Sequence, residues 1–452
     1  MIDREIWGKI IKDHLQKDVR LVERNIENYV SVPGRALAIV GPRRAGKTYS
    51  MFQIIGDLAK SMEKNRTVYI NFEDFRLENL ELKDMETLLD VYYTLFPENS
   101  ESTCFFFLDE VQALEKWEKF VRHLLDKNQK VFVTGSSSKL LSKEIATQLR
   151  GRSIKATALP LSFEEILKFN RIKTQKFYST KETAEIKKLL NEYLCWGSYP
   201  EVALNKELRK EILDEILNLT IFKDIVERWG VSNTKALKLL FSMAAKSTHL
   251  SISKAYRNLK GIGITVGKGT VANYLEYMHD SLVFYPLKAF EKSYKKQEML
   301  GFKPYLVDNG LLTVLGTEDK GRLFENLVFT ELLKKGFEAN RDLFYYAGKW
   351  EVDFLLKKGG KVNKLIQVSY SLEGEKTKNR EMRAIIKASK KLGCNDLTII
   401  SWSEEETIEE QGKKVKIVPF NKWLLECSAS KPRRLHSKKT CFENLARLRK
   451  KQ

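Results

Sequence analysis

Apolar and polar residues alternate along this chain with a period that changes, and the changes mark out its parts. Ile6, Trp7, Ile10, Ile11, Leu15, Val19, Val22, Ile26 and Tyr29 recur three to four residues apart, which predicts a packing helix that ends before Pro33 and Gly34. Next come short, almost wholly apolar runs: ALAIV (36–40), TVYINF (67–72), TCFFFL (103–108) and KVFVTG (130–135). Helical patterns separate them, one running to about Lys60 and others over 115–126 and 139–149. Such runs suit the strands of a parallel sheet covered by helices on both faces, an α/β domain.

From about 160 to 230 the pattern is helical, interrupted at Gly197 and Pro200 in NEYLCWGSYPEVAL. Three short helices are then predicted over 236–245, 252–259 and 270–279, followed by strand-like LVFYPLKAF (282–290), a basic loop and KPYLVD (303–308). Three helices and a hairpin suggest a winged helix. From near Gly321 the order is helix, three strands, helix, strand and a final strand, a compact α/β unit. The expected division is 1–160, an α/β core with its N-terminal helix; 161–230, a helical lid; 231–318, a winged helix; 319–427, the last α/β domain; and 428–452, a basic tail.

Composition adds partners and exclusions. The chain has 452 residues, 43% of them hydrophobic, which excludes a disordered protein and allows about three cores. Cys104, Cys195, Cys394, Cys427 and Cys441 form no CxxC pair and the five histidines show no ligand spacing, so a disulfide scaffold or structural zinc is not expected. No uncharged apolar run approaches 18 residues and the first ten residues carry Asp3 and Glu5, so a soluble, cytoplasmic protein without a membrane partner is expected. The 79 Lys and Arg exceed the 59 Asp and Glu by 20, and residues 428–452 alone hold a net +8. That excess makes DNA a plausible partner, met through the winged helix, the last domain and the tail.

Chemistry concentrates in one loop. Gly41, Pro42, Arg43, Arg44, Ala45, Gly46, Lys47 and Thr48 match G-x-x-x-x-G-K-[ST] between a predicted strand and a predicted helix, with Tyr49 next in the helix. Backbone N–H groups of such a loop face the phosphates of ATP, the lysine reaches the β- and γ-phosphates, and the threonine hydroxyl ligates Mg²⁺. In TCFFFLDEVQ the strand ends in Asp109, suited to the Mg²⁺ shell, and Glu110, suited to polarising the attacking water. Thr134, Ser136 and Ser137 end the next run, where a hydroxyl can sense the γ-phosphate or cap a helix. Arg152 in LRGR offers a guanidinium to a nucleotide of its own or a neighbouring chain, or a solvated face.

GPRRAGKT, FFLDEVQ, VTGSSSKLLS, LRGR with LPLSFEE, and GSYPEV together resemble the archaeal and bacterial AAA+ ATPases whose C-terminal half is an uncharacterised domain with a restriction-endonuclease-like core, over about residues 20–420. The resemblance implies nucleotide and magnesium binding by Lys47 and Thr48, a Walker B pair at Asp109 and Glu110, a sensor region at Ser136, and an arginine finger at Arg152 in a homo-oligomer. In the last domain Glu325, Glu351, Asp353 and Gln367 resemble the PD-(D/E)xK nuclease pattern, but Ser369 stands where the lysine belongs. Glu351 and Asp353 are also what the exposed face of an ordinary strand shows. Without the lysine the domain is expected to bind DNA and not cut it. The expected function is Mg-dependent ATP hydrolysis coupled to DNA binding or remodelling. The alternatives are an ATP-gated signalling or scaffold protein with a protein partner and, third, an ATP-dependent nuclease.

Overall fold

A computed structural model of the chain describes residues 2–429 apart from 20, 22, 25–31, 136–144, 146 and 176–177. Ser136, Ser137, residues 139–144 and 146 of the helix expected over 139–149, and all of the basic tail but 428–429 lie outside the described residues. The chain divides into two compact units, Met1–Leu159 and Pro160–Lys431.

The first unit opens with helix α1 (Arg4–Gln16), which Asp3 caps by accepting from the Glu5 N–H, and whose apolar face buries Trp7, Ile10 and Ile11. The chain leaves the helix at Lys17, earlier than the spacing of apolar residues predicts. Strands β1 (Ala36–Val40), β2 (Thr67–Asn71), β3 (Phe105–Asp109), β4 (Lys130–Thr134) and β5 (Ser153–Thr157) make a sheet in the order β5-β1-β4-β3-β2, every pair parallel. Every residue of β1 and β3 is buried, as a sheet covered on both faces requires. Helix α2 (Lys47–Ala59) packs Met51, Phe52, Ile54, Ile55 and Leu58 on one face against Leu37, Ile39, Phe107 and Phe132. The Phe107 and Phe132 rings stack there at 4.5 Å. Strand β5 has no apolar run: at the sheet edge only Ala156 of SIKAT is buried.

The second unit begins with helices Phe163–Phe169 and Thr180–Trp196, each opened by a reciprocal cap, Ser162 with Glu165 and Ser179 with Glu182. Helices Thr234–Lys246, Ile252–Gly261 and Lys268–Asp280 follow, and then the antiparallel hairpin of β6 (Phe284–Lys288) and β7 (Phe302–Leu306). Leu250 and Phe302 exchange two backbone hydrogen bonds of 2.9 Å, adding a bridge beside the hairpin. The basic loop expected inside the hairpin holds a short helix, Tyr294–Leu300, capped by Ser293. Strands β8 (Leu343–Tyr346), β9 (Val352–Lys358), β10 (Lys361–Ser369), β11 (Leu397–Ser401), β12 (Glu406–Glu410) and β13 (Lys413–Pro419) form a mixed sheet ordered β12-β13-β11-β10-β9-β8. Helix Glu375–Leu392 covers it with Met382, Ile385, Ile386 and Ala388 against Leu355, Leu365, Ile399 and Ile417. Among the described residues no helix is long and apolar enough to cross a membrane.

Candidate functional site: a phosphate-type loop beside a carboxylate pair

Strand β1 ends at Val40, the loop Gly41–Gly46 turns, and α2 begins at Lys47, so the first N–H groups of α2 open onto the loop. Two positions need glycine. Gly46 has φ +91°, a left-handed conformation costly for any other residue. A Cβ on Gly41 would lie 2.1 Å from the Ala158 carbonyl oxygen, because the segment after β5 runs tight against the loop. The Lys47 ammonium is buried and donates to the carbonyls of Gly41 (3.3 Å) and Pro42 (3.2 Å), folded back over the loop it starts from. Arg24, which sequence spacing does not single out, is buried beneath it, donating to the Ala45 carbonyl at 2.5 Å and to the Leu159 carbonyl. Gln53 of α2 holds the Arg24 backbone from both sides, at 2.7 and 3.0 Å. Thr48 is half-buried, and Tyr49 is exposed on the first turn of α2, edge-on to Phe52.

The sheet order places β4 between the loop strand β1 and the carboxylate strand β3. Asp109, at the end of β3, is buried and held at both oxygens: the Tyr69 hydroxyl donates to Oδ2 at 2.8 Å, and the Thr134 hydroxyl at the end of β4 donates to Oδ1. Thr134 also accepts from the Glu110 N–H at 3.2 Å, so one hydroxyl ties both acidic residues together. Glu110 turns out of the strand with φ +52°, and the Gln112 amide donates to its Oε2 at 2.5 Å. Burial first, and then the Asp109 carboxylate, push the Tyr69 phenol above its ordinary range, which keeps it a donor. The structure thus brings Lys47, Thr48, Asp109 and Glu110 to the carboxyl-terminal edge of one sheet.

Arg152 lies at the other edge. It directly precedes β5, its carbonyl accepts from the Ala36 N–H at the start of β1, and its guanidinium donates to Asp126 Oδ1 (2.7 Å) and the Gly34 carbonyl (3.1 Å). The five-residue strand β5 runs parallel to β1, which separates this edge from the loop by about 16 Å at roughly 3.3 Å per residue. The guanidinium is turned to that edge, away from the Gly41–Thr48 loop of its own chain.

The second acidic group is assembled in the last part of the second unit. Glu325 lies on helix Lys320–Lys334, Glu351 just before β9, Asp353 in β9 and Gln367 in β10. Asp353 does not lie on an exposed strand face, as simple alternation suggests; it is buried, because strand β7 of the hairpin packs over it. From β7 comes a residue that sequence reasoning passed over: the Lys303 ammonium sits 3.1 Å from Glu325, 2.8 Å from Glu351 and 2.7 Å from Asp353. The Tyr305 hydroxyl donates to Glu325 at 2.5 Å, and the Val368 N–H to Asp353 Oδ2 at 2.8 Å. Burial pushes the Asp353 carboxyl up to about 7, against the pull of Lys303. Glu325, in spite of its burial, is drawn below the carboxylate range by Lys303 and Arg322. Gln367 turns its amide to Glu381 at 2.6 Å, and the Ser369 hydroxyl donates to the Ser371 carbonyl.

Around the three-helix segment, Lys254, Arg257, Lys260 and Lys268 are exposed, as are Lys292, Lys295 and Lys296 between the hairpin strands. Lys296 pairs with Glu291 at 2.8 Å.

Residues 33–167 match the AAA domain family, and residues 187–321 and 320–423 match two domains of unknown function. An uncharacterized protein of Haemophilus influenzae is 28% identical over 397 residues, spanning 86% of this chain and 94% of its own length. The Walker-type ATPase of Pyrococcus abyssi superposes with a TM-score of 0.40 at 13% identity, covering 70% of this chain and 96% of that one. An uncharacterized protein of Methanocaldococcus jannaschii is 40% identical over 440 residues, which are 94% of this chain and 96% of the archaeal protein. The chain belongs to one family with that archaeal protein, and here the AAA domain is followed by the two domains of unknown function.

Proposed function

We propose that this chain is a Mg-dependent ATPase of the AAA class whose second unit binds DNA without cutting it. The observation that carries the reading is the convergence at one sheet edge of the Gly41–Thr48 loop with Asp109 and Glu110, the two acids being joined through Thr134. The donor set fits a nucleotide: backbone N–H groups at the start of α2, an ammonium held over the loop by the Gly41 and Pro42 carbonyls, and a tight glycine turn. Lys47 exchanges the carbonyls of Gly41 and Pro42 for the β- and γ-phosphates of ATP. Thr48 and Asp109 would hold a magnesium ion, which would supply positive charge opposite the phosphates. Glu110 exchanges its Gln112 contact for the attacking water, which it orients and deprotonates. Thr134, bonded to Asp109 and to the Glu110 N–H, can pass the state of the γ-phosphate to both carboxylates, alongside the sensor role read for Ser136.

Arg152 is read as a finger acting on the nucleotide of a second copy, since its own chain's loop is at the far edge; hydrolysis then requires a homo-oligomer. The three helices with their hairpin and the Leu250–Phe302 bridge favour a winged helix, whose exposed lysines and Arg257 meet phosphates. Helix Lys320–Lys334 followed by β8–β9–β10, a helix and parallel β11 favours the nuclease-like fold, and Ser369 supplies no ammonium to it. The test is the ATPase rate with and without single-stranded, double-stranded and branched DNA at several salt concentrations. Stimulation that fades as salt rises is expected. A rate indifferent to every DNA, with no DNA bound at low salt, would favour a protein partner instead.

A further inference from the structure

The carboxylates of Glu325, on a helix, and of Glu351 and Asp353, just before and at the start of β9, converge on a single point, where the structure holds the Lys303 ammonium at 2.7–3.1 Å. Three carboxylates gathered within a few ångströms repel one another unless a cation lies among them. Equally, a lysine near the start of the wholly buried strand Phe302–Leu306 is costly unless its charge is met. Lys303 is 3% exposed, the side chains of Asp353 and Glu325 are 10% and 15% exposed, and Glu351 is half-exposed at 50%. Each group therefore accounts for the presence of the others.

We propose that Lys303 is the resident cation of this acidic cluster: its ammonium takes the place that a divalent metal ion would occupy, and so closes the nuclease-like site from within the chain. The inference rests on the nuclease-like reading of the last domain and goes beyond it. Loss of the lysine at Ser369 explains only why water would be poorly activated, whereas Lys303 explains why the metal would not bind at all. The occupant arrives on a neighbouring hairpin. Leu306 and Asn326 exchange hydrogen bonds of 2.9 and 3.0 Å, and Phe290 donates to the Tyr345 carbonyl at 2.7 Å, so β6 and β7 are tied to the helix and the strand that flank the acids. The ammonium therefore cannot swing away as a surface lysine would. Its shell of 2.7–3.1 Å is wider than Mn²⁺ or Mg²⁺ accepts, about 2.0–2.1 Å for the latter, so a metal entering after removal of the lysine would draw the three carboxylates inward by roughly 0.6–1 Å.

The test uses the full chain and Mn²⁺ alone, titrated by calorimetry and by the electron paramagnetic resonance of the free ion. The parent should show no Mn²⁺ binding that Asp353→Asn removes. Lys303→Ala should gain one site at least tenfold tighter than anything the parent offers there, lost again in Lys303→Ala/Asp353→Asn, and its melting temperature should rise with Mn²⁺. Asp353-dependent Mn²⁺ binding by the parent would overturn the proposal, and so would a folded Lys303→Ala chain that gains none. Should Lys303→Ala not fold, the parent titration still decides. A further variant, Lys303→Met with Glu325→Gln and Asp353→Asn, should then recover folding, and failure to recover would count against charge balance as the reason for the lysine. Incubating the parent with plasmid DNA and Mn²⁺ separates the two readings: Asp353-dependent cutting would overturn the reading of a non-cutting domain, whereas metal-indifferent variants with no cutting would overturn only the role of Lys303.

Discussion

Protonating His14 should loosen the wall behind the carboxylate site. His14 is buried on α1, and its Nε2 lies 3.1 Å from the Thr67 hydroxyl oxygen. That hydroxyl already donates to the Lys64 carbonyl at 2.7 Å, so it can only accept, and His14 carries its hydrogen on Nε2. The other ring nitrogen is buried without a partner among the described residues. A second proton would have no acceptor there and would sit near Lys64 and Lys17. Burial, then those two lysines, lower His14 from 6.5 to about 4. With the folded value below the unfolded one, the unfolded chain takes the proton first, so the stability contributed by the neutral ring is present above pH 6.5 and is lost as pH falls toward 4. Integrated between pH 7 and pH 4.5, the loss is about 2 kcal/mol. The His14 ring packs against that of Tyr69 at 5.7 Å, and Tyr69 holds Asp109, so the loss falls beside the site. Urea unfolding at the two pH values, for the parent and for His14→Gln, should give a pH-dependent loss smaller in the variant by that amount. Parallel losses in both proteins would refute the reasoning.

Two further outcomes follow from the site. Gly41→Ala should impair the loop even without nucleotide, because its Cβ would meet the Ala158 carbonyl at 2.1 Å; a melting temperature lowered by several degrees together with lost ATP affinity is expected, and an unchanged melting curve would contradict the close approach. Arg152→Ala mixed with Lys47→Ala should recover part of the ATPase rate that each lacks alone, and specific activity should rise with protein concentration; a monomer that hydrolyses ATP at a concentration-independent rate would exclude a finger acting between copies.

What could be read from the sequence depended on the range over which its causes act. The strands β1 and β3 are legible because burial on both faces leaves an unbroken apolar run, and the Gly41–Thr48 loop because its chemistry is written in consecutive residues. Strand β5 is not, since an edge strand with a single buried residue carries no such run. The end of α1 at Gln16 is not legible either, because Val19 continues the helical spacing after the backbone has become extended at Lys17. Tyr69 and Arg24 are invisible for another reason: each acts on a group 40 or 21 residues away, joined only by the fold. Lys303 shows this most clearly. In KPYLVD it reads as the polar start of a strand, and only the packing of a hairpin over a sheet turns it into the neutralising charge for three acids.

The central claim, ATP hydrolysis at the Gly41–Thr48 loop with Glu110 as the base, is tested most directly by following bound and hydrolysed ATP side by side in the parent, Lys47→Ala and Glu110→Gln. Lys47→Ala loses a charge opposite the phosphates in ground and transition states alike, so ATP binding should be lost. Glu110→Gln loses only the group that activates water, so ATP should remain bound while turnover falls by about 10² or more. Hydrolysis by Glu110→Gln at the parent rate, or ATP held equally well by Lys47→Ala, would contradict the account.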